Sequence, residues 1–159
     1  MSDFSHLDST GAARMVDVSE KATSARTAVA AGALRTTPEV IAALSGGRLP
    51  KGDALATARI AGIMGAKRTP DLVPLCHPID ISGVDVAFEL GDREVRVTAT
   101  VRTTDRTGVE MEALTAVSVA CLALHDMVKS VDAAATIDGV RLERKEGGKS
   151  GVWTRPEGR

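Results

Sequence analysis

The chain has 159 residues, 43% of them apolar and 26% charged, with a formal net charge of −1 and an isoelectric point about 6.3. That length makes one domain able to bury a real core, and the near balance of charge argues against a general nucleic-acid binder. With no Tyr, two Phe and one Trp, there is little on which nucleic-acid bases could stack.

Two cysteines, Cys76 and Cys121, form neither a disulfide framework nor a zinc spacing, so a reducing cytoplasm is the expected home. No stretch approaches the ~20 apolar residues of a membrane span, and the polar start lacks a signal-peptide core. A soluble protein without membrane contact is expected.

Residues 1–13 are polar and small and are expected to form a flexible N-terminal segment, with His6 at the surface. Arg14 to Val18 is expected as a short strand with Met15 facing the body. The run RTAVAAGALR, from Arg26 to Arg35, reads as a strand in which Gly32 admits a close neighbour. Thr37 then caps a short helix with Pro38 at its first position and Gly46-Gly47 beyond its end. A second helix starts at Asp53 as cap and runs to Lys67, with Ala54, Ala58, Ala61 and Gly65 giving it a face of small residues. Three prolines in RTPDLVPLCHP predict an extended, rigid loop.

Residues 81–90 and 94–103 alternate apolar and polar around the turn GDR, which predicts a hairpin with one buried face. From Gly108 to Asp132 good helix formers and apolar residues at three and four predict one long helix. One stripe of it, Leu114, Val117, Cys121, Leu124, Val128 and Val131, is expected to cover a sheet. A second, Ala113, Ala116, Ala120, Ala123 and Met127, is small enough for close helix approach, and its expected partner is a second copy of the chain. Residues 136–145 supply a last strand, with Asp138-Gly139 a bulge or turn inside it, and the rest is tail. Setting aside the first strand and short helix, the order is strand, helix, strand, strand, helix, strand. That is the α+β, ferredoxin-like split βαβ order: a four-stranded antiparallel sheet with two helices on one face.

Several polar groups stand where the backbone is stiff. His77 sits between Cys76 and Pro78 in the proline-braced loop, where it could act as acid, base or phosphate ligand, although a lone histidine is more often structural. Cys76 reads as a nucleophile or, more commonly, a small buried residue. Lys51, after Pro50 in a loop before a helix start, could help hold a phosphate or simply be solvated. Asp126 and Lys129 are three apart and share a helix face; a plain surface pair explains them equally well. Glu110 and Glu112 lie in the first turn, where the helix dipole favours carboxylates. Glu112 and Asp126 are ~20 Å apart along the axis, so one small substrate can touch both only if another subunit completes the site. The tail string GGKSG is not a P-loop, since no helix follows it, but Lys149 and Ser150 in a glycine-rich segment could close over an anion, with Lys67 and Arg68 extending the basic patch. No metal cluster is visible among the three histidines.

The strings MVDVS, KGDALATARIAGIMGAKRTPDLVPLCHP, TGVEMEALTAVSVACLALHDMVKSVD and GGKSG resemble the cyclic pyranopterin monophosphate synthase family of molybdenum cofactor biosynthesis. The resemblance spans residues 14–151, which would be the catalytic domain, with 152–159 a C-terminal tail. It implies ferredoxin-like subunits assembled as a homohexamer, a trimer of dimers with active sites at the dimer interface. It implies a lyase that converts 3′,8-cyclo-7,8-dihydroguanosine 5′-triphosphate to cyclic pyranopterin monophosphate and pyrophosphate. Asp126 matches the family's catalytic aspartate, and Lys51 and Lys129 its essential lysines. Leu75, Cys76 and His77 match its substrate-binding loop, Met111 and Glu112 its second binding stretch, and Glu110 a neighbouring acidic position. Lys67 and Lys149 match basic positions assigned to the triphosphate. No cofactor is required by the sequence, with Mg²⁺ able to accompany the triphosphate. The alternatives left open are a non-catalytic nucleotide-binding module and a different lyase acting on another anionic metabolite.

Overall fold

The structure, a computed structural model, describes residues 6–49 and 53–158. Strand β1 (Ser24–Arg35) is followed by the short helix α1 (Pro38–Ser45), helix α2 (Ala54–Lys67), a helical turn α3 (Thr69–Leu72), the hairpin β2 (Ile81–Leu90) and β3 (Glu94–Asp105), helix α4 (Glu110–Val128), β4 (Thr136–Glu146) and β5 (Trp153–Thr154). The sheet order is β2-β3-β1-β4-β5 with every neighbour antiparallel. Its first four strands have the ferredoxin-like order, and α2 and α4 are the two crossover helices. Because β1 and β3 are antiparallel, the helices that leave them also run in opposite directions.

The alternation read from the hairpin is realised. Val95, Val97, Ala99 and Val101 are fully buried under the helices, while Arg96 and Arg102 on the other face are exposed. Each such Val contributes roughly 1.5–3 kcal/mol by leaving water. Exposed ion pairs such as Arg35 with Asp138 add no more than ~1 kcal/mol each, so packing holds this fold together. Gly32 does admit a neighbour: a Cβ there would stand 2.8 Å from Val117 Cγ1. In β4 the chain bulges against β1, and Gly139 takes a positive φ of 62°.

Five expectations are corrected. The alanine stripe of α4 packs within the chain, against α2: a Cβ on Gly62 would lie 2.9 Å from the Ala116 carbonyl oxygen and one on Gly65 2.8 Å from Val119 Cβ. Two small-residue faces satisfy each other, so no second copy is needed there. The sheet has a fifth strand, two residues long, too short to leave an alternation in the sequence. Residues 14–18 are not a strand, and Met15 is half exposed. The proline-rich segment opens with the helical turn α3, since Pro70 in a first turn has no amide to lose and Thr69 Oγ1 donates to the Ala66 carbonyl at 2.9 Å. By length and composition α4 passes for a membrane span, but half of that window is buried inside the chain, as in a core helix.

Candidate functional site

The antiparallel helices gather chemistry at opposite ends of the molecule. At one end the first turn of α4 meets the loop that follows α3. Glu110 and Glu112 are there because the chain enters α4 at Val109, without a side-chain cap, and the exposed amides of a helix start favour carboxylates. They are not equivalent. Glu110 is half-buried and pairs with Lys145 of β4, Oε1 to Nζ at 3.1 Å. Glu112 is only 2% exposed, and its Oε2 is buried without a hydrogen-bond partner. Burial pushes its pKa up to about 7, its own backbone N–H opposes that, and the neighbouring Glu110 charge adds to the rise. A buried carboxyl that titrates near neutrality is a candidate proton carrier.

Leu75, Cys76 and His77 are all half-buried in the loop beside it. The Cys76 thiol is raised by burial and then by the Glu112 charge, so it is no ready nucleophile. His77 Nε2 lies 2.7 Å from the Val16 carbonyl oxygen, a bond that holds the ring only if this nitrogen carries the proton. Thus the stretch expected as a strand serves as a strap across the histidine. Asp17 of that strap, its pKa lowered chiefly by the Ser19 amide and hydroxyl, also feels the His77 charge. Met111 stands 39% exposed on the outer face of α4.

At the other end of α4 stand Asp126 and Lys129, paired through Oδ1 and Nζ at 2.7 Å, each more than half exposed. The structure does not bring them to His77 or Glu112 within one chain: fourteen residues of helix separate Glu112 from Asp126, ~21 Å along the axis. Lys51 lies outside the described residues. Lys67 lines a groove of about 390 Å³ with Ile63, Asp80 and Ser82, which shares no lining residue with the groove that holds Lys149. Sequence reasoning passed over Lys145 and the strap residues Val16 and Asp17. Only the MVDVS string pointed at the strap, and nothing in the alternation of β4 marks Lys145. Among the described residues no group of three or more His, Cys, Asp or Glu could hold a metal ion.

One family's sequence pattern runs through residues 15–148 and so takes in the strap, both helices and the first four strands of the sheet. This chain belongs to the MoaC family. Its MoaC-type relatives include cyclic pyranopterin monophosphate synthase 2 of Mycobacterium tuberculosis (strain ATCC 25618 / H37Rv), 65% identical over 153 residues that cover 96% of this chain and 92% of the relative. The cyclic pyranopterin monophosphate synthase of Streptomyces coelicolor is 66% identical over 152 residues, covering 96% and 89%. That of Roseiflexus castenholzii is 56% identical over 153 residues, covering 95% and 97%.

Proposed function

We propose that this MoaC-family chain is a cyclic pyranopterin monophosphate synthase, acting on 3′,8-cyclo-7,8-dihydroguanosine 5′-triphosphate and releasing pyrophosphate. The observation that carries the reading is the meeting of the Leu75–His77 loop with Glu110 and the buried Glu112 at one end of α4, in a chain so similar to enzymes of that name. Leu75, Cys76, Met111 and Glu112 hold the purine-derived rings. His77 of the same loop, with Nε2 against the Val16 carbonyl oxygen, joins them as a ligand of the substrate.

Rearranging the purine-derived ring to a pterin needs several proton transfers, which fall to Asp126, Lys129 and Lys51. A sugar hydroxyl then attacks the α-phosphorus. A new P–O bond forms, the bond to the bridging oxygen breaks with its electron pair leaving on pyrophosphate, and the hydroxyl proton passes to an acid–base group of the pocket. Mg²⁺ enters, where it is used, as the companion of the triphosphate.

Asp126 and Lys129 belong to this chemistry only if a second copy lends them. The outward face of α4 supports that assembly, for Met111, Thr115, Ser118, Leu122, Asp126 and Lys129 fall on one stripe of the helix. Leu122 is 60% exposed there, and Ile60 and Met64 on α2 continue the apolar surface. Two such helices paired antiparallel about a two-fold axis lay Asp126 of one copy beside Met111 of the other. Such dimers, three to a hexamer, put each site at an interface. The free thiols Cys76 and Cys121 fit a reducing cytoplasm.

Incubating the purified protein with the cyclised nucleotide and following pyrophosphate and pterin together tests the assignment. Asp126→Asn is expected to abolish pyrophosphate release and leave the oligomer intact. Absence of both products with the wild-type chain overturns the function, and near-normal turnover by the variant removes Asp126 from it.

A further inference from the structure

The segment 15–22, which crosses His77 on its way into β1, has little regular structure to hold it in place. Two turns of its own give it shape: Asp17 Oδ1 accepts from the Ser19 amide at 2.9 Å, and the Lys21 amide donates to the Val18 carbonyl at 3.0 Å. Val16 and Val18 are half-buried, and Asp17 between them is exposed. Among the described residues a single hydrogen bond joins this segment to the rest of the chain, the one between His77 Nε2 and the Val16 carbonyl oxygen, 2.7 Å long. The strap and the ring therefore fix each other.

A carbonyl oxygen only accepts, so Nε2 carries a proton wherever this bond is made. Two forms of the ring satisfy that condition: the neutral one with a bare Nδ1, and the imidazolium with a proton on each nitrogen. The first becomes the second by taking a proton at Nδ1, and the bond to Val16 survives the change. Among the described residues Nδ1 has no hydrogen-bond partner. The Asp17 carboxylate lies within electrostatic reach of the charge the ring then carries, an attraction that the neutral ring lacks. One nitrogen held and the other free is the arrangement of a base and its orienter.

We propose that the Val16–Asp17 strap is the positioning element for proton transfer at His77: the Val16 carbonyl keeps one proton on Nε2, so Nδ1 is the atom that takes a proton from the substrate. The inference rests on the function proposed above. An N–H of the purine-derived ring gives its proton to Nδ1, and the electron pair of that bond stays on the ring nitrogen. The imidazolium keeps its Nε2–H on Val16, and the proton leaves Nδ1 again when the pterin ring closes. His77 is the catalytic residue of this step, and Val16 and Asp17 act through it. The ring meets the substrate with a lone pair and no charge, which suits a donor on the purine-derived rings and not a phosphate.

The test is nitrogen-15 NMR of the assembled protein labelled at its three histidines, without substrate, beside turnover of the cyclised nucleotide. The His77 signals are those missing from His77→Gln. In the wild type the neutral ring is expected to be protonated at Nε2 and bare at Nδ1. Asp17→Ala removes the Ser19 turn and the charge at an exposed position. It is expected to mix the two tautomers and to lower kcat about tenfold with little change in KM, the worth of a hydrogen bond to a group that becomes charged. Asp17→Asn keeps an oxygen for the Ser19 amide, so it is expected to hold the tautomer and to lose about threefold in kcat. His77→Gln keeps an N–H for the Val16 carbonyl but has no basic atom, and is expected to melt like the wild type and lose ~100-fold or more in kcat. A wild-type ring protonated at Nδ1, wild-type kcat in Asp17→Ala, or wild-type kcat in His77→Gln overturns the proposal. The Nε2–H tautomer in a wild type that never converts the nucleotide upholds the strap's hold on the ring and sinks the functional reading instead.

Discussion

At the residue scale the position that departs most from ordinary chemistry is Glu112. Its carboxyl prefers the protonated form in the folded chain, with a pKa of about 7 against 4.5 for the free group. Between those values the native state keeps a proton that the unfolded chain has released, so stability from this group is full below pH 4.5 and is lost as pH rises through 7. The shift corresponds to about 3 kcal/mol at most. Glu112→Gln keeps the shape and removes the ionisation. It is therefore expected to melt like the wild type at pH 4.5 and to exceed it at pH 8, by an amount denaturant unfolding at the two pH values can read. A gap that does not widen with pH would mean that Glu112 is solvated and ionised. Its neighbours Glu110 and Lys145 form a half-exposed pair, worth too little to hold the helix end by itself.

Among elements, the pairing of α2 with α4 decides the shape. Glycines are poor helix formers, each costing ~1 kcal/mol relative to alanine, yet α2 carries Gly62 and Gly65 in its buried face. The compensation is contact: Gly62 lets α4 approach until the Ala116 carbonyl oxygen stands where a methyl group would go. Gly62→Ala is thus expected to lower stability by roughly 1–3 kcal/mol despite its better propensity, because the obstacle is backbone and cannot rotate away. A chemical melt showing the alanine variant equal to or above the wild type would contradict this packing. At the start of the same helix, Asp53 Oδ1 accepts from the Ala56 amide at 2.9 Å, the cap read from the sequence.

For the whole molecule the issue is distance. His77 and Glu112 are at one end of α4 and Asp126 and Lys129 at the other, and a rigid helix of this length does not fold back on itself. A shared site predicts complementation. His77→Ala and Asp126→Asn, each inactive alone, are expected to recover about a quarter of wild-type turnover when unfolded together and reassembled in equal amounts, since half of the dimers are then mixed and each mixed dimer carries one intact site of two. No recovery from an assembly verified as mixed would place the whole reaction within one chain.

Residue order alone was enough for what depends on local rules. Alternation in 81–90 and 94–103, the caps at Thr37 and Asp53, and the long apolar helix all appear where periodicity and capping place them, because neighbouring residues decide those features. The resemblance carried by PLCHP and the α4 block pointed to the family in the same way. What the chain could not declare in one dimension was partnership. The alanine face of α4 reads identically whether α2 or a second copy fills it, and only packing density in the fold resolves it. The same holds for Val16 over His77, Lys145 beside Glu110, and Arg26 against the GGKSG tail: each joins residues at least 35 positions apart. Such contacts have no period to detect, since they exist only once the sheet has set the ends of its strands side by side.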